Sequence, residues 1–324
     1  MKQIFFLAAV AAAAIALIPL ERTQTENEAA QAAPMTLYIE EAEEPVQQSW
    51  IRLLHDGEVS LCPEEEYLAA VVLCEMPPDF ESEALKAQAV AARTFACRQA
   101  RHGKHENADV CADPGCCQAW MSRQALQEKY ADRFGSVWQK ALSAVQQTAG
   151  EVLVYDGELI DATYFSCSGG STESAAAVWG SDVPYLQAVA SPAEQDAPRF
   201  CSQVTLSAEA FRKTLEDAGT SLTGKPESWI GAVSYTAGGG VDTMQIGADA
   251  YSGTDIRKLF GLNSTAFTVS LSEDGFTFDV RGFGHRVGMS QYGANNMAKQ
   301  GFGYRSILLY YYQGVKIEKS LSQS

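Results

Sequence analysis

Glu75 is the residue whose position most clearly suggests chemistry. It follows an apolar run, residues 67–74, and stands directly before Met76-Pro77-Pro78. The run predicts a helix that begins near Pro63 and must end at the two prolines, because proline has no N–H to donate. Apolar neighbours and the negative end of the helix dipole both raise a carboxyl pKa, as a general acid for glycoside cleavage requires. The alternative is an exposed glutamate at a helix end with no chemical role.

Lys86 and Arg93 are two cations on the next predicted helix, which runs from Ser82 to about Arg101. Seven residues apart, they lie within about 20° of each other around the helix axis. The surrounding run, residues 84–105, contains no acidic residue although the chain as a whole is acidic. This pattern predicts an anion-binding face, and a solvated helix surface is the alternative.

Two glycine-containing blocks could bring backbone close to a ligand. The first, residues 164–174, combines Gly-Gly with flanking hydroxyls. It is neither a phosphate-binding loop nor a nucleophile elbow, because it contains neither Gly-Lys-Ser/Thr nor Gly-x-Ser-x-Gly. The second, residues 282–301, places His285 among glycines and ahead of Ser-Gln-Tyr. A histidine in such a turn is more often a hydrogen-bonded turn residue than a catalyst.

The chain has eight cysteines, and three of them lie close together beside a histidine. His105, Cys111, Cys116 and Cys117 supply four soft or borderline ligands within thirteen residues. Four such protein ligands describe a closed, structural zinc site with no open position for a water molecule, which disfavours a zinc hydrolase. His102 is a possible substitute ligand. Disulfides, which an exported chain with an even cysteine count permits, and free thiols remain alternatives.

Composition and charge exclude some partners. With 24 lysines and arginines against 40 acidic residues, the 324-residue chain has a net charge of −16. Nucleic-acid binding is therefore not expected, because neutralising phosphates needs a basic surface. Twelve acidic residues and two arginines fall within residues 21–66, so much of the acidity lies near the N-terminus.

The N-terminus predicts a membrane segment. Residues 4–20 are uncharged and mostly apolar, and they are followed by Glu21-Arg22. Their length favours a transmembrane anchor over residues 1–20, and a cleaved signal peptide is the alternative. The polar residues 21–47 are then an acidic stalk, and in either case the remainder of the chain leaves the cytoplasm.

The elements that must position these residues alternate between helix and strand. Hairpins are predicted around Asp56-Gly57 and Asp156-Gly157, and residues 202–220 look helical. The mixture predicts an α+β fold with helices and antiparallel sheet. We expect a core of residues 48–200 and 262–320, with a zinc-like loop at 102–120. A smaller, mainly β inserted domain would occupy residues 201–261.

Several of these blocks together resemble the stage II sporulation protein D family. They are Glu75-Met76-Pro77, EALKAQAVAART, SGGSTE with VWG and PYL, and GHRVGMSQYGA with a closing ILLYYYQG. They occur in one order between about residues 50 and 317. The sequence departs from the family pattern at Arg286, where the family usually has glycine.

The resemblance implies a membrane-anchored lytic transglycosylase that cuts peptidoglycan glycan strands during engulfment of the forespore. Glu75 would be the catalytic acid, and Lys86 and Arg93 would line the cleft. Some family members carry a zinc cluster in the cysteine loop. The family also implies two partners, the stage II sporulation proteins P (an amidase) and M (a membrane protein). The proposed sugar-binding or orienting groups are Tyr164, Ser168, His285, Gln291 and Tyr292.

One carboxyl group suffices for this reaction, because the C6 hydroxyl of the muramoyl sugar attacks its own anomeric carbon. A hydrolase would need a second carboxylate. The alternative function is a non-catalytic peptidoglycan-binding protein that enhances a partner amidase. In the leading hypothesis the catalytic part lies outside the cytoplasm, in the intermembrane space of the sporulating cell.

Overall fold

The computed structural model describes residues 49–320. Within that range the helices are α1 (Glu64–Glu75), α2 (Ser82–His102), α3 (Arg123–Tyr130), α4 (Phe134–Gln147), α5 (Ala175–Trp179), α6 (Ala208–Asp217), α7 (Gly253–Leu259), α8 (Gln291–Lys299) and α9 (Tyr304–Tyr311). Two short 3-10 helices cover Ala131–Arg133 and Pro226–Ser228.

Sixteen strands, many of them two residues long, complete the described chain. They are β1 (Trp50–His55), β2 (Glu58–Pro63), β3 (Val110–Cys111), β4 (Glu151–Tyr155), β5 (Glu158–Leu159), β6 (Tyr164–Phe165), β7 (Gly170–Ser171), β8 (Ala190–Ser191), β9 (Cys201–Leu206), β10 (Ile230–Tyr235), β11 (Val241–Ile246), β12 (Asp249–Ser252), β13 (Ala266–Ser272), β14 (Gly275–Arg281), β15 (Met289–Ser290) and β16 (Lys316–Lys319).

The main hydrophobic core surrounds α2. This alanine-rich helix packs against α1, α4, α8, α9 and β4, and its residues 84–94 are buried with the exception of Lys86. Alanine side chains allow the close approach of neighbours on several sides. Helix α1 is equally apolar, with residues 67–73 all buried. It ends at Met76 in extended backbone, before the two prolines, as the sequence predicts.

A second hydrophobic cluster lies between Val204 and Val280. It is built on the antiparallel sheets β13-β14-β9 and β10-β11-β12, with α6 and α7. Phe211 is at its centre, stacked on Phe276 with ring centroids 4.1 Å apart. The cluster begins near the expected start of the inserted domain and continues past residue 261, because β14 pairs along its length with β9. The domain boundaries given above stay a prediction.

The short parallel pair β6–β15 is the element that matters most for the site. Tyr164 pairs with Met289 and Phe165 with Ser290. The two glycine-containing blocks, 120 residues apart in sequence, therefore meet side by side. A bridge between Cys167 and Phe283 extends their contact. The arrangement brings Tyr164 and the start of α8 to the end of α1.

The α+β prediction is confirmed, since helices and mostly antiparallel sheets are mixed along the chain. The hairpin at Asp56-Gly57 forms as predicted, with both turn residues at positive φ. The helix prediction for residues 202–220 is wrong over residues 202–206, because these belong to β9, the edge strand that pairs with β14, and α6 begins only at Ala208. Alternating exposure along β9 shows a strand period that the sequence reading missed.

The predicted anchor (1–20) and stalk (21–47) lie outside the described residues. Between residues 49 and 320, no helix has both the length and the apolar character that a membrane crossing requires.

Candidate functional site

The carboxyl group of Glu75 lies at the C-terminal end of α1, half-buried between two other segments. The backbone N–H of Ala119 donates to its Oε1 at 3.1 Å, and the Gln291 side-chain amide donates to its Oε2 at 3.4 Å. Burial raises the pKa of Glu75, and these two hydrogen bonds only partly oppose that effect. The described residues give Glu75 no ion pair. A carboxyl group in this setting can hold a proton and release it to a bound oxygen.

Gln291 reaches Glu75 because α8 starts beside it. The Ser290 hydroxyl accepts a hydrogen bond from Gly293 N–H and so caps the helix, which fixes Gln291 in the first turn. Gln291 is buried, and its amide points at the carboxyl group rather than at solvent. The structure therefore brings this predicted residue to Glu75.

Tyr164 also lies at the site, held by a residue that the sequence analysis did not single out. The amide of Gln118 donates to the Tyr164 hydroxyl oxygen at 2.9 Å, and its own oxygen accepts from the Tyr67 hydroxyl at 2.9 Å. Burial, and then the nearby Glu75 charge, raise the pKa of Tyr164 well above its usual value. The hydroxyl is therefore neutral and able to donate at any physiological pH.

His285 lies beside Tyr164 as a turn residue with both ring nitrogens occupied. Its Nδ1 accepts from the Val287 N–H at 3.1 Å, so Nε2 carries the proton and donates to the Tyr164 carbonyl at 3.1 Å. Burial, with the Arg257 charge, lowers the pKa of His285 to about 4. The neutral imidazole thus holds the β6 backbone in place, and neither nitrogen is available to a ligand in this conformation.

Arg93 is buried against α4 and β4, and its assignment as a substrate-binding residue stays a prediction. Its side chain is 2% exposed and pairs with Glu64 at 2.8 Å. The remaining guanidinium N–H groups donate to the carbonyl oxygens of Thr148, Glu151 and Val145. The seven-residue spacing correctly placed Arg93 on one helical face with Lys86. That face is buried at Arg93, because α4 and β4 cover this part of α2.

Lys86 has an acidic partner, Glu83, which lies directly before the acid-free run 84–105. Its Nζ donates to Glu83 Oε1 at 2.6 Å, one helical turn back, and the side chain is 16% exposed. The other oxygen of Glu83 accepts from the Tyr304 N–H, which anchors the pair to α9. Among the described residues Lys86 shares no hydrogen bond with Glu75.

Ser168 is fully buried, and its assignment as a sugar-binding group stays a prediction. Its hydroxyl donates to Glu194 at 3.0 Å, within a polar cluster that Ser191 and Ser290 complete. Burial raises the pKa of Glu194, and these donors oppose the increase only in part. The cluster ties the first glycine-containing block to the N-terminus of α8, which is a structural role.

Tyr292, the last of the predicted binding residues, is partly exposed and packs edge-on against Phe80 with ring centroids 4.9 Å apart. Its backbone N–H donates to the Ser166 carbonyl at 3.0 Å. Phe80 follows the two prolines after Glu75, so this aromatic pair closes one side of the α1 end.

The four predicted metal ligands converge. The ligand atoms of His105, Cys111, Cys116 and Cys117 all lie within 4.8 Å of one another. His105 Nε2 is 3.3 Å from Cys117 Sγ and 3.8 Å from Cys116 Sγ. Nitrogen and sulfur ligands of one tetrahedral zinc ion are about 3.5 Å apart, so this donor set fits zinc. His102 is not part of the group, and all eight cysteines are unpaired thiols.

The metal-ligand group continues directly into the site. Gln118 and Ala119, which hold Tyr164 and Glu75, follow Cys117 without a break. No sequence signal marks either residue, since Gln118 acts through a buried side chain and Ala119 through its backbone. The one indication in the sequence is that both residues directly follow Cys117, a predicted metal ligand.

Arg286 stands at φ 66°, a left-handed conformation that favours glycine. Its buried guanidinium pairs with Glu173 at 3.2 Å and donates to three backbone carbonyls, of Ser168, Ser171 and Gly238. These contacts stabilise an arginine whose backbone conformation is otherwise strained.

Comparison with known proteins identifies several relatives of this chain. A family model described as "Stage II sporulation protein" matches residues 56–155. Stage II sporulation protein D of Bacillus subtilis (strain 168) is 40% identical over 262 residues, which cover 80% of this chain and 75% of that protein. The protein of the same name from Bacillus amyloliquefaciens is 38% identical over the same shares.

A more distant relative carries a different name. The "Amidase enhancer" of Bacillus subtilis (strain 168) is 30% identical over 309 residues, covering 77% of this chain and 40% of that protein. Identity of 38–40% across three quarters of the two sporulation proteins establishes the relationship. The chain belongs to the stage II sporulation protein D family.

Proposed function

We propose that this protein is a peptidoglycan lytic transglycosylase that acts during engulfment in sporulation, with Glu75 as its single catalytic carboxyl group. The observation that carries the proposal is the environment of Glu75. Its pKa is raised by burial, and its hydrogen-bond partners are a backbone N–H and an amide rather than a second carboxylate. A two-carboxylate glycosidase instead holds two acidic groups across the scissile bond.

In the proposed mechanism Glu75 first donates its proton to the glycosidic oxygen that leaves. The anomeric carbon gains positive character, and the C6 hydroxyl of the same muramoyl sugar attacks it. The carboxylate of Glu75 then takes the C6 hydroxyl proton, so the residue ends protonated and no water is consumed. The product is a 1,6-anhydromuramoyl end.

The partners of Glu75 favour this cycle. Ala119 N–H and the Gln291 amide each donate to one carboxyl oxygen, so they support the carboxylate that exists between the two proton transfers. Burial opposes that charged form and raises the pKa of Glu75. The two effects together support a group that first donates and then accepts a proton.

The test is digestion of glycan strands stripped of stem peptides, followed by mass spectrometry of the strand ends. The wild-type protein is expected to produce 1,6-anhydromuramoyl ends, and Glu75→Gln is expected to produce none. Glu65→Gln is the matched control, because Glu65 lies in the first turn of the same helix, at the opposite end from Glu75, and accepts a hydrogen bond from the Gln146 amide. Full activity of Glu75→Gln would overturn the assignment.

The second candidate function is enhancement of a partner amidase without catalysis. The 30% identity to a protein named amidase enhancer favours it. In that case the protein would stimulate an amidase on intact peptidoglycan, and Glu75→Gln would stimulate as well as the wild type. The two functions are distinguished by adding the protein to peptide-free glycan strands in the absence of any amidase. A transglycosylase cleaves these strands, and a non-catalytic enhancer does not.

We also propose that His105, Cys111, Cys116 and Cys117 hold a structural zinc ion. Bound there, zinc would cross-link the loop after α2 to the segment that reaches Glu75, without activating water. Metal analysis of the reduced, purified protein is expected to find one zinc per chain. Cys111→Ser is expected to lose it and to lower the melting temperature, whereas Cys201→Ser, at an exposed cysteine outside the group, is expected to do neither. A metal-free wild type would contradict the proposal.

The cellular setting that we propose is the engulfing membrane, with an N-terminal anchor and the catalytic part outside the cytoplasm. Its partners there would be peptidoglycan, the amidase stage II sporulation protein P and the membrane protein stage II sporulation protein M. Co-purification from sporulating cells is expected to recover both proteins with the full chain. Recovery of neither after mild cross-linking would contradict this part.

A further inference from the structure

We infer that Gln118 is a positioning residue that turns the hydroxyl proton of Tyr164 toward the Glu75 site. The inference deepens the proposed transglycosylase function and rests on it. Three contacts of one buried amide carry it, together with the hydrogen bond from the next residue, Ala119, to Glu75.

The orientation of the Gln118 amide is set by its surroundings. The side chain is 2% exposed, so water does not satisfy it. Its Nε2 lies 3.4 Å from the Ala92 carbonyl oxygen, which can only accept a hydrogen bond. The NH2 group must therefore face Ala92 and Tyr164, and the amide oxygen must face the Tyr67 hydroxyl, which donates to it.

This orientation fixes the direction of the Tyr164 hydroxyl. Both Gln118 amide hydrogens are used, one on Ala92 and one on the Tyr164 oxygen. Tyr164 is therefore an acceptor toward Gln118, and its own proton must point elsewhere. Among the described residues no other side chain hydrogen-bonds to that hydroxyl, and Ala119, the residue after Gln118, donates its N–H to Glu75 at 3.1 Å, which places the Glu75 carboxyl group next to this pair.

The consequence concerns the carboxylate that Glu75 forms after giving up its proton. A neutral tyrosine that can only donate in that direction stabilises negative charge developing on Glu75 or on a sugar oxygen held against it. A single pre-oriented donor in an oxyanion hole contributes about a hundredfold to a thousandfold in rate, which is the upper limit for Tyr164. If Gln118 were absent, no side chain of the described residues would fix the direction of the Tyr164 proton.

A double-mutant cycle on kcat tests the inference, with peptide-free glycan strands as substrate. Tyr164→Phe is expected to lower kcat about tenfold to a hundredfold, with KM changed less than threefold. Gln118→Met, which keeps the side-chain volume, is expected to lower kcat by a similar factor. The double variant should be no slower than Tyr164→Phe, because Gln118 acts only through that hydroxyl.

Two matched controls separate positioning from general stability. Gln88→Met changes a buried glutamine of α2 whose amide has no hydrogen-bond partner within the described chain, and it should leave kcat unchanged. Tyr130→Phe removes a hydroxyl that donates to the Leu73 carbonyl at 3.0 Å, near Glu75 but outside the site, and should also leave kcat unchanged. Zinc content and melting temperature are measured on every variant.

The outcomes are distinct. A double variant slower than Tyr164→Phe by the full Gln118 factor, or a Gln118→Met variant as fast as the wild type, overturns the inference while the proposed function stands. If Glu75→Gln keeps its activity, the proposed function itself fails. Should Gln118→Met not fold, Gln118→Asn takes its place under the same criterion, since its amide is one methylene short of both tyrosines.

Discussion

Replacing Arg93 by methionine separates a structural arginine from a substrate-binding one. The substitution keeps most of the apolar stem and removes the guanidinium group. Four contacts would be lost, namely the 2.8 Å ion pair with Glu64 and hydrogen bonds to three backbone carbonyls. The carbonyls belong to the end of α4 and the start of β4, so the change removes four of the polar contacts that join α2 and α1 to these elements.

The cost follows from burial. Removing one partner of a buried ion pair costs about 3–5 kcal/mol, because the other charge stays behind without compensation. Glu64 is 19% exposed and regains some hydration, which favours the lower half of that range. The three carbonyls add to the cost, since unsatisfied buried acceptors are worth about 1–3 kcal/mol each and are not additive. We expect a loss of about 3–5 kcal/mol, or about 6–10 °C at roughly 2 °C per kcal/mol.

The assay is thermal unfolding followed by circular dichroism, with glycan binding measured on the same samples. Arg98→Met is the control, an arginine on the same helix that forms no ion pair in the described chain. Adding Glu64→Gln to Arg93→Met should restore part of the lost stability. If Arg93→Met melts within 2 °C of the wild type yet no longer binds glycan, the structural role is refuted.

Two further changes test the turn that holds Tyr164. The folded pKa of His285 is about 4 against 6.5 for the free side chain, so its contribution to stability is present above pH 6.5 and lost as the pH falls toward 4. His285→Gln should therefore flatten the decline of melting temperature over that interval, and an unchanged decline would contradict the lowered pKa. Arg286→Gly introduces the usual family residue, yet it should destabilise by about 3 kcal/mol in urea unfolding because Glu173 loses its buried partner. A more stable glycine variant would show that the left-handed strain outweighs the ion pair.

Sequence patterns predicted those parts of the site that depend only on residues close together in the chain. Glu75 ends an apolar helix because prolines stop it, and the four metal ligands are close in sequence, so their convergence needs only one loop. The hairpin at Asp56-Gly57 likewise follows from its own residues.

The other features of the site depend on packing between segments that are far apart in sequence. Spacing placed Lys86 and Arg93 on one helical face, but it could not tell that α4 and β4 bury that face at Arg93. Ser168 looked like a ligand residue because glycines surround it, whereas Glu194, 26 residues away, takes its hydroxyl. Gln118 belongs to no motif and acquires its role only when Tyr67 and Tyr164 are brought to either side of it.

The most direct test of the central claim is the fate of water in the reaction. Peptide-free glycan strands are digested in oxygen-18 water, and the new strand ends are analysed by mass spectrometry. If Glu75 alone drives intramolecular attack by the C6 hydroxyl, the ends are 1,6-anhydromuramoyl groups, one water lighter than hydrolytic ends and free of oxygen-18. Reducing ends that carry oxygen-18 would show hydrolysis and contradict the single-carboxyl mechanism.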